Sequence, residues 1–230
     1  MFSKLLSSIF KRGNENSTEM PFDNTQQQEN TMSNHFLALA KQRRTIYALG
    51  KDIPVADEEL IGTIKEAVKQ APSAFNSQSS RIVILLRKEH NRFWEITREQ
   101  LRKIVPADRF AGTSDKIDGF TAAAGSVLFF EDQDVVKTLQ EQFASYADNF
   151  PVWSEHSTGI AQYAVWLALA EKGIGANLQH YNPLIDSDVK TAWQIPDSWK
   201  LRAHMNFGSV EAPAGEKTYI DDDTRFIIAK

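Results

Sequence analysis

Between residues 57 and 70, apolar side chains recur at helical spacing, with Leu60, Ile61, Ile64, Ala67 and Val68 on one side. Asp57 stands where an N-cap belongs, and Pro72 stops the helix. Phe36, Leu37, Leu39 and Ala40 predict an earlier helix ending near Arg44. Two short continuous apolar runs, "RIVILL" (81–86) and "SVLFFED" (126–132), read as buried strands. The stretch between them, "HNRFWEITREQLRKI", predicts a helix turning Phe93, Ile96, Leu101 and Ile104 inward. A polar helix is expected from Asp134. Residues 154–172 are apolar nearly all round, through Ile160, Tyr163, Trp166, Leu167 and Leu169. That pattern belongs to a helix buried at a domain centre or in an oligomer interface. A third strand is expected at 201–207 and a fourth in "TRFIIA" (224–229). Helices thus alternate with three or four strands, which predicts an α+β or α/β domain with a small sheet sandwiched by helices. The connections between strands are long, so neighbouring strands are not expected to form hairpins.

Residues 1–31 break this pattern. "MFSKLLSSIFKR" is short and amphipathic, and the polar stretch after it has little apolar surface to bury. The first twelve residues carry Lys4, Lys11 and Arg12 and no acid, which fits a targeting or membrane-touching helix, a dispensable tail, or a chain whose true start is Met32. The domain proper is therefore taken as residues 32–230.

Composition narrows the chemistry. The 230 residues carry 26 cations and 30 anions, a net charge of −4, without the basic excess a nucleic-acid binder needs. The absence of cysteine removes disulfides, thiolate metal sites and thiol nucleophiles, and fits a reducing, cytoplasmic setting. The five histidines show no metal-ligand spacing, no apolar run is long enough to span a membrane, and no G-x-S-x-G elbow occurs. "GIGANL" (173–178) lacks the third glycine of a dinucleotide fingerprint and follows a helix, so Gly173 reads as a helix cap in a left-handed conformation. Asp221, Asp222 and Asp223 read as a solvated turn or a hard-cation site; Glu131, Asp132 and Asp134 read as a strand end and a helix cap.

Two stretches carry more specific chemistry. "APSAFNSQSSR" (71–81) concentrates hydroxyl and amide groups between a helix stop and a strand. Its Asn76 and Gln78 each offer donors and an acceptor, suited to a polar heterocycle edge. "KQRRTIYALGK" (41–51) sets Arg43 and Arg44 side by side at the threshold of the core. Guanidinium forks match phosphate oxygens, so one ligand with a phosphate and a polar-edged ring would use both stretches.

Taken in order, "RRTIYALGK", "APSAFNSQSSRIVIL", "FFED" and "GIGANLQHYNPLID" resemble the FMN-dependent nitroreductase family, within it the fatty-acid-repression-mutant-like subgroup. The resemblance covers about residues 32–230. It implies an α+β fold with a small, mainly antiparallel central sheet flanked by helices, and a homodimer with FMN in a groove where the subunits meet. By position, Arg43, Arg44 and Thr45 correspond to phosphate and ribityl contacts, and Lys217 to the cation completing the phosphate site. Ser73, Asn76 and Gln78 correspond to loop residues reaching the ribityl chain and ring. Leu178, Gln179, His180 and Tyr181 correspond to the segment beside flavin N5, offering it a backbone N–H. Tyr47 stands where many members carry a lysine, which leaves the redox tuning of the ring open, and a carboxy-terminal lysine–arginine pair is represented only by Lys217. The implied activity is electron transfer from NADH or NADPH through FMN to nitroaromatic or quinone acceptors, by alternating use of one site. Tyr146, Phe150 and Trp153 are candidate pocket walls, or simply core. A flavin-binding redox or lipid-response regulator is the alternative, and an anion-binding module a third reading.

Overall fold

In the computed structural model, residues 35–230 are described, and Ala38–Lys230 form one compact unit. The expectations for residues 1–31, and for a start at Met32, fall outside the described residues. A helical segment covers 35–42, short of the expected end near Arg44.

Five strands form one sheet: β1 (Leu49–Gly50), β2 (Ser80–Leu86), β3 (Gly125–Asp132), β4 (Gly175–Gln179) and β5 (Trp199–Val210). The order is β1-β5-β3-β2, with β4 also paired to β5, and every pairing is antiparallel. No two paired strands are joined by a tight turn, because helices fill the connections. These are α1 (Asp57–Gln70), α2 (Lys88–Ile104), α3 (Phe110–Thr121), α4 (Gln133–Gln142), α5 (Phe150–Glu171), α6 (Asp186–Trp193) and the short α7 (Asp222–Arg225).

The central strand explains the layering. Successive side chains of a strand point to opposite faces. Accordingly Val127 and Phe129 of β3 join Leu60, Ile64, Val165 and Leu169 beneath α1 and α5. Leu128 and Phe130 join Phe93, Trp94, Ile117 and Phe120 beneath α2 and α3. A strand that feeds two cores is apolar throughout, which is why "SVLFFED" reads as a continuous run.

Several expectations need correction. Ala56, not Asp57, is the N-cap of α1; Asp57 is its first residue, and both of its carboxylate oxygens meet the Arg87 guanidinium. "TRFIIA" forms no strand: α7 ends at Arg225, and Phe226, Ile227 and Ile228 are exposed. Asp132 does cap α4, accepting the Asp134 N–H at 3.2 Å, whereas Glu131 is wholly buried and takes hydrogen bonds from the Ser80 and Thr158 hydroxyls. Asp221 accepts the Asp223 N–H at the start of α7, and no cluster of metal-ligating side chains occurs among the described residues. Gly173 closes α5 as expected, at φ 73°, with Ile174 N–H donating back to Leu169 O at 3.0 Å.

Candidate functional site

The paired arginines leave the 35–42 helix and run alongside β4. Ile46 N–H donates to Ala176 O at 2.9 Å, and Thr45 forms a parallel bridge with Ala176. This fixes residues 43–47 at the edge of the sheet. Arg43, Arg44, Thr45 and Tyr47 then line one cavity of about 520 Å³, whose opposite wall is the chain from Ala212 to Lys217. Arg44 reaches across it and donates to Gly215 O at 2.6 Å. Arg43 lies over the Trp166 ring, 4.5 Å from its centroid, with its Nε buried and unpartnered. Neither arginine pairs with a carboxylate among the described residues. Three cations thus share a cavity with one acid, Glu216, a surplus of positive charge suited to an anion.

Through the Ile46–Ala176 contact, β4 lies against the segment that carries Arg43, Arg44 and Thr45. In a strand, the N–H and C=O of one residue point the same way. Ala176 O faces Ile46, so Ala176 and Leu178 turn their backbone groups away from β5. Beyond the strand, Tyr181 N–H donates to the His204 side chain at Nε2, at 3.3 Å. The Leu178 N–H is thus on the side of β4 away from β5, and the His180 side chain is exposed. Tyr181 is half-buried, which pushes its phenol pKa up, and its ring stacks on His204 at 5.6 Å. Burial lowers the His204 pKa to about 3, so this imidazole is neutral and acts as an acceptor.

The amide-rich loop is elsewhere. Phe75, Asn76 and Gln78 all have positive φ, at 56°, 51° and 47°, a conformation costly for non-glycine residues. It is held by Ser73, whose Oγ accepts the Gln78 N–H at 3.0 Å, and by Arg81, which donates to Gln78 O at 2.6 Å. Asn76 and Gln78 side chains are left exposed. Phe75 packs into an aromatic cluster with Phe143, Tyr146, Phe150 and Trp153, its ring parallel to that of Trp153 to within 18°. Ser73, Phe75 and Trp153 line a second cavity of about 420 Å³ together with His156 and Ile160. Of the candidate pocket walls, Phe150 is core and Tyr146 is half-exposed.

One chain therefore divides the expected residues into two groups. Arg43, Arg44, Thr45, Tyr47 and Lys217 share one cavity next to β4; Ser73, Asn76 and Gln78 sit with Tyr146 and Trp153 at the other end of α5. Trp153 and Trp166 mark the two groups, and thirteen helical residues separate them by roughly 20 Å. Sequence reading missed Trp166, which seats Arg43, and the backbone of Gly215, which receives Arg44.

The nitroreductase family model matches residues 40–209, most of the described chain. The chain belongs to the nitroreductase family. Among its relatives are the Saccharomyces cerevisiae proteins HBN1, 37% identical, and nitroreductase FRM2, 34% identical; each alignment spans 190 residues, 82% of this chain and 94% of the relative. Nitroreductase CinD from Lactococcus lactis, solved in complex with chloramphenicol, is 56% identical with a TM-score of 0.79 over 85% of this chain and all of that one. CinD has also been solved with 4-nitrophenol. At the level of fold alone, a Desulfitobacterium hafniense nitroreductase with bound FMN superposes with a TM-score of 0.61 at 17% identity, covering 84% of this chain and 97% of that one. Family membership makes the chain an oxidoreductase and bears out the α+β class. No helix among the described residues is long and apolar enough to cross a membrane.

Proposed function

We propose that the chain is a homodimeric flavoprotein that holds FMN and passes electrons from NADH or NADPH to flat, electron-poor acceptors, nitroaromatics or quinones. The observation that carries the reading is the cavity between residues 43–48 and 212–217, which sets three cations and the unpartnered Arg43 Nε against a single acid. The residues fit a phosphate ester with a polar ring: guanidinium and ammonium donors for the phosphate, and the Leu178 N–H, turned away from β5, for a ring acceptor. FMN, when bound, supplies the two-electron redox chemistry.

The chain's own residues bind and orient. Arg44 is braced by Gly215 O and Arg43 by Trp166, so both guanidiniums are pre-set and lose little freedom on binding. Lys217 adds a third charge. Tyr47, 65% exposed at the cavity wall, offers a hydroxyl and no charge near the ring, which is expected to keep the flavin potential lower than a lysine there would.

The separation of the two groups along α5 supports the dimer. The exposed face of α5 carries Val152, Ile160 and Tyr163, and the carboxy-terminal stretch exposes Phe226, Ile227 and Ile228, apolar side chains that a partner copy could cover. A two-fold axis crossing α5 near Ile160 would reverse the helix and bring one copy's Ser73–Gln78 loop to the other copy's cations. The loop and its aromatic cluster would then wall the acceptor pocket. The CinD complexes with chloramphenicol and 4-nitrophenol support nitroaromatic acceptors, since both ligands are nitroaromatics.

The test compares FMN with riboflavin. Three phosphate-facing cations predict FMN binding at least about a hundredfold tighter than riboflavin, from two or more charge-assisted bonds. Equal affinities for the two would remove the assigned role of the cavity.

A further inference from the structure

A buried row of polar side chains crosses the sheet on the face beneath α2. Ser126 of β3, Asn206 of β5 and Asn177 of β4 are register partners on adjacent strands, and all three are fully buried. The row is hydrogen-bonded end to end. Ser126 Oγ lies 2.9 Å from both Asn206 Oδ1 and His90 Nδ1, with one hydrogen to serve the two; Asn206 Nδ2 donates to Asn177 Oδ1 at 3.1 Å, and Asn177 Nδ2 to Ile46 O at 2.8 Å. Gln179 Nε2 adds a second donor to Asn177 Oδ1 at 2.9 Å.

The direction of the row is not arbitrary. Trp94 Nε1–H, which only donates, is bonded to Asn206 Oδ1 at 3.0 Å. Ile46 O, which only accepts, stands at the other end. These two obligate ends orient both asparagine amides without ambiguity. An all-apolar row would fill the same space, and buried amides cost free energy unless every partner is present. The row is therefore expected to have a purpose beyond packing.

Its end point identifies that purpose. In a parallel pair, one residue bonds through its N–H to residue j−1 and through its C=O to residue j+1 of its neighbour. Ile46 N–H does bond Ala176 O, and a regular ladder would next have Leu178 N–H bonding Ile46 O. The Asn177 side chain takes that carbonyl instead. It keeps residues 45–47 fastened to β4 while leaving Leu178 N–H free at the open edge.

We propose that Asn177, oriented by Asn206, is a positioning residue that substitutes its side-chain amide for one rung of the ladder, so that Leu178 N–H stays available to the cofactor ring while the arginine segment stays fixed. The inference rests on the FMN reading above. The Asn177→Asp variant tests it, because it keeps the shape and Oδ1 but replaces the NH₂ that holds Ile46 O. In this variant FMN affinity should fall about tenfold or more, as one lost bond to a buried carbonyl implies, and the flavin midpoint potential should move from the parent's. A structural role in folding alone would lower the melting temperature and leave the potential unchanged. A folded Asn177→Asp variant with parental FMN affinity and potential would overturn the inference while leaving the FMN reading intact. A parent chain that does not take up FMN would overturn the reading itself. Should the variant fail to fold, amide exchange in the full-length parent decides: Leu178 N–H unprotected without FMN and protected with it supports the inference, and protection in both states overturns it.

Discussion

Two fully buried histidines on one face of the sheet make stability depend on pH in a calculable way. His90 lies under α2, with Nδ1 2.9 Å from Ser126 Oγ and Nε2 3.1 Å from Phe120 O. Burial lowers its pKa to about 4 and that of His204 to about 3, against an ordinary value near 6.5. No carboxylate among the described residues bonds to either ring, and desolvation is the dominant cause in both. A base with a depressed folded pKa binds a proton in the unfolded chain first. The stabilisation is therefore complete above pH 6.5 and lost as pH falls from there toward 4. At pH 5 both imidazoles are still neutral in the folded chain and mostly charged in the unfolded one. Each then costs about 2 kcal/mol relative to pH 7, and the pair about 4 kcal/mol. Urea unfolding followed by circular dichroism at pH 7, 6 and 5, at fixed protein concentration, measures this directly. The His204→Gln variant, less stable at pH 7, should recover about half of the pH dependence. A free energy of unfolding that is flat between pH 7 and pH 5 in the parent would refute the buried-neutral assignment.

Other outcomes follow from the site. Replacing Arg43 and Arg44 together by alanine should remove most of the preference for FMN over riboflavin, at roughly 1.5–3 kcal/mol per charged bond, read by quenching of flavin fluorescence. Ile160→Glu, at the exposed middle of α5, should yield a monomer in light scattering and lose FMN at the same time, because the Ser73–Gln78 loop would no longer reach the partner's cations; an FMN-loaded monomer would contradict the shared site. Tyr47→Lys should raise the flavin midpoint potential by adding positive charge at the cavity wall, and an unchanged potential in a spectroelectrochemical titration would place Tyr47 away from the ring.

How far the sequence could be read depended on where each segment's side chains go. β2 and β3 were legible because both faces of each are covered, which demands unbroken apolar runs. β4, "GANLQ", is not legible as a strand, although its Leu178 and Gln179 belong to the segment the resemblance sets beside the flavin. Its Asn177 belongs to the buried polar row, and a strand satisfied by asparagine and glutamine has no hydrophobic signature. α3 was missed because Gly112 and Gly119 weaken its propensity and its inward residues, chiefly Ile117 and Phe120, are few. "TRFIIA" misled in the opposite direction: its apolar residues have the composition of a strand, yet Ile227 is 98% exposed, and no strand among the described residues pairs with them. Within the site, the cations were legible one by one as charge placed at the edge of a core. Their distance from the amide-rich loop was not, because it is set by the length of α5 and by the side of the sheet to which each connection returns. The residues that seat the arginines, Trp166 and Gly215, are distant in sequence and unremarkable in type.

The central claim is that the cation-lined cavity holds FMN and that this flavin accepts electrons from a nicotinamide. An anaerobic visible spectrum of the purified full-length protein, reconstituted with FMN and then titrated with NADH or NADPH, tests it most directly. The account predicts flavin bands in the visible that bleach at one equivalent of reductant per bound FMN and return when 4-nitrophenol or a quinone is added. A protein that stays colourless after incubation with FMN, or whose flavin bands persist under excess of both nucleotides, would contradict it.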